Sequence, residues 1–132
     1  MDTQIAMTGR VGSEVDHRIV KEIAYANFRL GCTPRVNRRG EWSDQETIWI
    51  SVHCSRSLAD GISASLKKGD PVVVTGKLRN SKWTDSEGNI RQDLRLEASS
   101  VGHDLSLGTT TFTKRPTKTR DAEAGSDETY LD

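Results

Sequence analysis

The segment from Lys68 to Glu97, KGDPVVVTGKLRNSKWTDSEGNIRQDLRLE, constrains the fold more than any other part of the chain. From Val72 to Arg79 the apolar residues Val72, Val74 and Leu78 share one parity, while Lys77 and Arg79 take the other. From Ile90 to Ala98 the split recurs, with Ile90, Leu94, Leu96 and Ala98 on one side and Arg91 and Arg95 opposite. Side chains that alternate with period 2 belong to a strand, since a helix would scatter them around its axis. Between the two strands, Ser81 to Asn89 reads as a polar turn that carries Lys82 beside Trp83. The segment is therefore a hairpin with one dry face and one wet, cationic face.

Three further strands follow from the same count. Gln4 to Val11 sets Ile5, Met7 and Val11 on one side. Ala24 to Cys32 sets Ala24, Ala26, Phe28, Leu30 and Cys32 against Tyr25, Asn27 and Arg29. Glu46 to Cys54 turns Ile48, Ile50, Val52 and Cys54 inward and leaves Trp49, Ser51 and His53 outward. His17 to Ile23 is a weaker strand, and Pro34 to Asp44 reads as a polar, basic loop. A last short strand is expected within Gly102 to Thr113, through Leu105, Leu107 and Phe112.

One helix is expected, from Leu58 to Lys68, because Leu58, Ile62 and Leu66 recur at i, i+4 and i+8. Ser57 suits its N-cap with Asp60 three residues on; Lys67 and Lys68 suit its end, and Gly69 and Pro71 stop it. The helix thus falls between the third and fourth main strands. Five strands and one helix in about 110 residues fit an all-β, five-stranded Greek-key barrel of the OB type, with long hairpin loops. A small sandwich with one helix shares this order.

Of the 132 residues only 33% are hydrophobic, too few for the whole length to pack. We place one domain at residues 1–113 and a disordered polar, acidic tail at 114–132. The net charge of zero hides a division: residues 1–120 carry all 19 Lys and Arg against 14 Asp and Glu, and residues 121–132 carry five acids and no base. A basic body with an acidic tail suits a polyanion partner. No apolar run is long enough for a membrane span, and no signal-peptide pattern opens the chain. Cys32 and Cys54 lack CxxC spacing, which fits a reducing cytoplasm rather than a disulfide or metal framework.

The wet faces carry the chemistry. Trp49 lies between Ile48 and Ile50, which claim the core, so its indole faces outward as a platform for stacking bases; burial by a loop or a second subunit is the alternative. Trp83, with Lys82 beside it and Lys77 and Arg79 on the strand leading in, pairs a stackable ring with cations that take phosphates. Arg35, Arg38 and Arg39 accompany Trp42 in the 34–44 loop, and Arg56 ends the Trp49 strand. Tyr25 and Arg29 extend the same face. Catalysis has no comparable support: His17, His53 and His103 are scattered, no nucleophile or Walker-type motif is present, and no cofactor is called for.

These residues together resemble bacterial single-stranded DNA-binding proteins. In that family a K-G-x-x-V-x-V-x-G-x-L-R strand leads into a basic-aromatic hairpin with D-x-x-G-x-x-R. Here it is matched by KKGDPVVVTGKLRNSKWTDSEGNIRQDLRLEASSVG, together with Ala26-Asn27-Phe28, the loop ending in Trp42, Thr47 to Val52 and Leu58-Ala59. The likeness spans residues 4–112, and the Thr33-Pro34-Arg35 loop and the stretch after Gly102 look most like the second, paralogous form of the actinobacterial branch. It implies an OB-fold homotetramer that wraps single-stranded DNA without sequence preference in replication, recombination and repair, cytoplasmic and nucleoid-associated. By position it implies that Trp49 and Trp83 stack and that Lys77, Arg79, Lys82 and Arg56 lie near the DNA. It also implies that the segment like Gly102 to Phe112 clamps paired subunits. The alternative is a primosome-type OB adaptor whose Trp49 face meets protein or RNA.

Two departures bear on these implications. Ser55 and Val36 stand where the family often has further aromatics, which implies weaker stacking. The family's acidic tail ends in a Pro-Phe tip that recruits replication and repair proteins. Here Asp127, Glu128, Tyr130, Leu131 and Asp132 keep acidity and two apolar residues without that tip, so the expected tail partners are in question.

Overall fold

The computed structural model describes residues 1–116. It contains eight strands: β1 (Gln4–Val11), β2 (Asp16–Val20), β3 (Ile23–Cys32), β4 (Arg35–Arg38), β5 (Glu41–Asp44), β6 (Ile48–Ser55), β7 (Pro71–Thr84) and β8 (Ile90–His103). One helix, α1 (Arg56–Ser65), follows β6. The main sheet runs β1-β7-β8-β6-β3-β2, and β1 pairs again with β3 through Arg10 and Val11 opposite Gly31 and Leu30. That last pairing closes β1, β7, β8, β6 and β3 into a five-stranded barrel of the OB type. All its ladders are antiparallel except β6 with β8.

The inward parity of each ring strand fills the barrel. Val11, Phe28, Leu30, Val52, Val72, Val74 and Leu96 are essentially inaccessible, and Ile50 joins them. Each such side chain contributes about 1.5–3 kcal/mol through burial. Ile62 of helix α1 and Leu66 just past its end pack into the same core, and Ala59 of the helix is sealed as well. The turn after α1 ties the helix to β1, because the Gly69 N–H donates to the Val11 carbonyl and the Val11 N–H to that of Asp70. Gly69 has φ +97°, a conformation that favours glycine there. Near Gly76 the ladder slips by one residue, and a Cβ on Gly76 would collide with the β8 backbone. This bulge bends β7 and β8 around the barrel.

Several expectations are corrected. Pro34 to Asp44 is not a loop: β4 and β5 form a hairpin of their own, with Val36 opposite Ser43 and Asn37 opposite Trp42. The helix starts two residues early and ends at Ser65. Its N-cap is Ser55 rather than Ser57, because Arg56 turns the chain out of β6 with φ +62°. Asp60 pairs with His17 at 2.9 Å instead of serving the cap, and Lys67 and Lys68 lie beyond the last turn. Ile48, Ile90 and Leu94 keep the expected parity but are exposed, because their strands have left the barrel core at those points. The weaker strand at His17 to Ile23 becomes β2, and β8 extends to His103. No strand follows in residues 104–116, where Leu105, Leu107 and Phe112 are exposed. Nearly all of the expected tail, including Asp127, Glu128, Tyr130, Leu131 and Asp132, lies outside the described residues.

Candidate nucleic-acid interface

Strand register assembles the wet face row by row. Arg79 stands opposite Arg95, Arg95 opposite Ser51, and Ser51 opposite Arg29, so four adjacent strands bring three arginines into one line. One step toward α1, Lys77, Glu97, His53 and Asn27 form a second row. Beyond it Ser55 stands opposite Tyr25. One step the other way, Trp49 stands opposite Gly31. The β7–β8 arm continues past this same end, and β3 and β6 lead there into the β4–β5 hairpin. Trp49, Trp83 and Trp42 therefore all belong to one end of the barrel.

Trp49 is half exposed, at 50%. Its ring lies against the backbones of Gly12 and Gly31: a Cβ on Gly31 would come within 2.8 Å of the ring, and one on Gly12 would overlap it. The Arg29 guanidinium sits 5.9 Å from the ring centroid, within cation–π range. This seat gives the indole a fixed pose with area left open to solvent. Sequence reading missed it, because glycines on β3 and after β1 carry no local sign of a ring 18 or more residues away.

Trp83 is 48% exposed on the β7–β8 arm. Its expected neighbour is corrected. Lys82 pairs with Gln92, while Trp83 pairs with Arg91, and alternation sends Lys82 to the other side of the ribbon. The arm's tip is held by one carboxylate. Asp85 Oδ1 accepts from the Glu87 and Asn89 N–H groups, and Oδ2 accepts from Arg91 Nε at 2.8 Å. Arg91 and these backbone donors hold the Asp85 carboxyl below the usual range. Gly88 completes the turn with φ +84°.

The remaining cations are distributed unevenly. Arg79 Nε and Arg95 each donate to Glu97, at 3.1 Å to separate oxygens, and these contacts, Arg79 foremost, lower the Glu97 pKa. Lys77 lies 3.5 Å from Asp2. Arg56 is exposed at the end of β6 and reaches Ser55 Oγ at 3.5 Å. Arg35 covers Trp42 at 5.4 Å and pairs with Asp44, and Arg38 lines a shallow recess with Trp42. Arg35, Arg38 and Trp42 belong to the separate β4–β5 sheet. A groove of about 500 Å³ opens beside the second row, lined by Tyr25, Asn27, His53, Ser55, Arg95 and Glu97 among others. Burial, seconded by Arg95, lowers the His53 pKa, so His53 favours its neutral form there. Cys54, beneath the face, has its thiol pushed up to about 11 by burial.

A closed five-stranded barrel with aromatic and cationic residues along one outer face belongs to the class of OB-fold proteins. The model of the single-strand binding protein family matches residues 2–104, and the chain belongs to that family, in its actinobacterial type. It is 38% identical over 126 residues to single-stranded DNA-binding protein 2 of Streptomyces avermitilis, which covers 94% of this chain and 78% of that relative. The crystal structure of the small single-stranded DNA-binding protein from Streptomyces coelicolor superposes with a TM-score of 0.74 at 34% identity, over 81% of this chain and 98% of that one. A Plasmodium falciparum single-strand binding protein in complex with single-stranded DNA gives 0.67 at 26% identity, over 75% and 91%. No helix among the described residues is long and apolar enough to cross a membrane.

Proposed function

We propose that this protein binds single-stranded DNA without sequence preference and acts by binding alone, without turnover. The observation that carries the reading is Trp49, half open on its glycine seat beside a line of three arginines. Bases stack on Trp49 and Trp83, and phosphates meet Arg29, Arg79 and Arg95. Lys77, Arg56, Arg35, Arg38 and Trp42 extend the path along the face and its two arms, and Lys82 adds a cation on the opposite side of the β7–β8 arm. Stacking accepts every base, and arginine forks accept any phosphate, so the combination is indifferent to sequence. Tyr25, exposed across from Ser55, offers a further ring near the place where the resemblance implies a missing aromatic. The Streptomyces relative described as a single-stranded DNA-binding protein and the Plasmodium complex support the same reading.

On this reading the chain is a specialised second paralogue, homotetrameric, acting in the cytoplasm on DNA exposed during replication, recombination and repair. The acidic stretch at 121–132 keeps charge for partner contacts. Titrating poly(dT) at low salt while following tryptophan emission tests the proposal. Quenching is expected, and Trp49→Ala and Trp83→Ala are each expected to lose about 1–3 kcal/mol per stacked base. Unchanged emission, or tighter binding to structured RNA than to poly(dT), would favour the primosome-type adaptor instead.

A further inference from the structure

The arginine line is not free. Arg79 and Arg95 face each other directly across β7 and β8, an arrangement in which like charges repel. Glu97 resolves it by placing one carboxylate oxygen on each guanidinium, both at 3.1 Å. At the other end of the line, Asp93 approaches Arg29 at 4.0 Å. Both acids lie on the wet face and bury no core surface. Exposed ion pairs of this kind contribute little to folding stability, so their placement needs another account. A carboxylate on an arginine fork occupies the position that a phosphate would take, and offers it the same oxygen geometry.

We propose that Glu97, seconded by Asp93, is a built-in counterion that holds phosphate positions on this face and is displaced when the strand binds. The inference rests on the single-stranded DNA reading and concerns how that site is regulated. Displacement exchanges one anion for another on Arg79 and Arg95, so electrostatic gain is held down and base stacking has to supply the surplus. The face is thereby kept from binding every polyanion that meets it.

Oligo(dT) titrations of the full chain across a salt series test this. Glu97→Gln is expected to bind about 5-fold more tightly at low salt. Its slope of log affinity against log salt is expected to steepen by about 0.7, as for one added phosphate contact on a single strand. Asp93→Asn moves both quantities in the same direction by less, and it decides the matter if Glu97→Gln is recovered unfolded. Unchanged affinity and slope in both variants, or weaker binding by a folded variant, overturns the proposal. A parent protein that does not bind oligo(dT) removes the single-stranded DNA reading itself, a result distinct from either.

Discussion

A half-exposed indole keeps one orientation only if something flat and close lies beneath it, and at Trp49 that something is backbone. Neither Gly12 nor Gly31 has a left-handed φ, so their role is to be small rather than to turn the chain. Gly31→Ala tests this directly. The added methyl fits the strand backbone but meets the ring at 2.8 Å, so the indole lifts. The expected outcome is a loss of oligo(dT) affinity up to that of one stacked base, about 1–3 kcal/mol, with the barrel still folded by circular dichroism. Parental affinity in this variant would mean that the seat does not set the pose used in binding. The outward face of Trp49 was legible from its place between Ile48 and Ile50, but the seat was not. It depends on closure of the barrel, which brings distant backbone beneath the ring.

At the level of elements, the β7–β8 arm stands away from the core and depends on its own turn. Asp85 gathers two backbone donors and Arg91, so Asp85→Ala is expected to loosen residues 81–92 while the barrel melts as before. Faster amide exchange confined to the arm, with weaker quenching of Trp83 by oligo(dT), is the measurement; exchange identical to the parent would count against the turn's role. Acid acts on the same carboxylate. Its pKa is lowered in the folded arm, so its contribution is complete above the unfolded value of about 3.9 and is lost as pH falls through the lower folded value. The ring strands were legible because each has a dry side to alternate against. Strands β4 and β5 were not, since among their eight residues only Val36 is partly covered. Lys82 was misplaced beside Trp83 because Ser81 to Asn89 reads as a turn from its polar composition, whereas β7 runs on to Thr84 and alternates there. The helix start was missed because Arg56 enters it through a left-handed turn.

For the whole molecule, the single chain leaves Leu105, Leu107 and Phe112 exposed within one stretch that follows the last strand. Apolar residues so grouped are expected to be covered by another subunit, in keeping with the implied clamp. Light scattering or native mass measurement is expected to give four chain masses, and a monomer at micromolar concentration would remove the tetramer from the reading. The OB architecture itself was legible from the order of strands and helix, but ring closure and its register were not, because period 2 says which way residues face and not whom they meet.

Ring closure also has a temporal side. Strand β1 lies between β7 and β3, and β6 needs β8, so residues near the N-terminus wait for partners almost seventy positions later. Such distant pairing slows folding. A nascent chain on the ribosome has no complete barrel until β8 has emerged, and until then its unpaired edges are open to neighbouring chains and to chaperones.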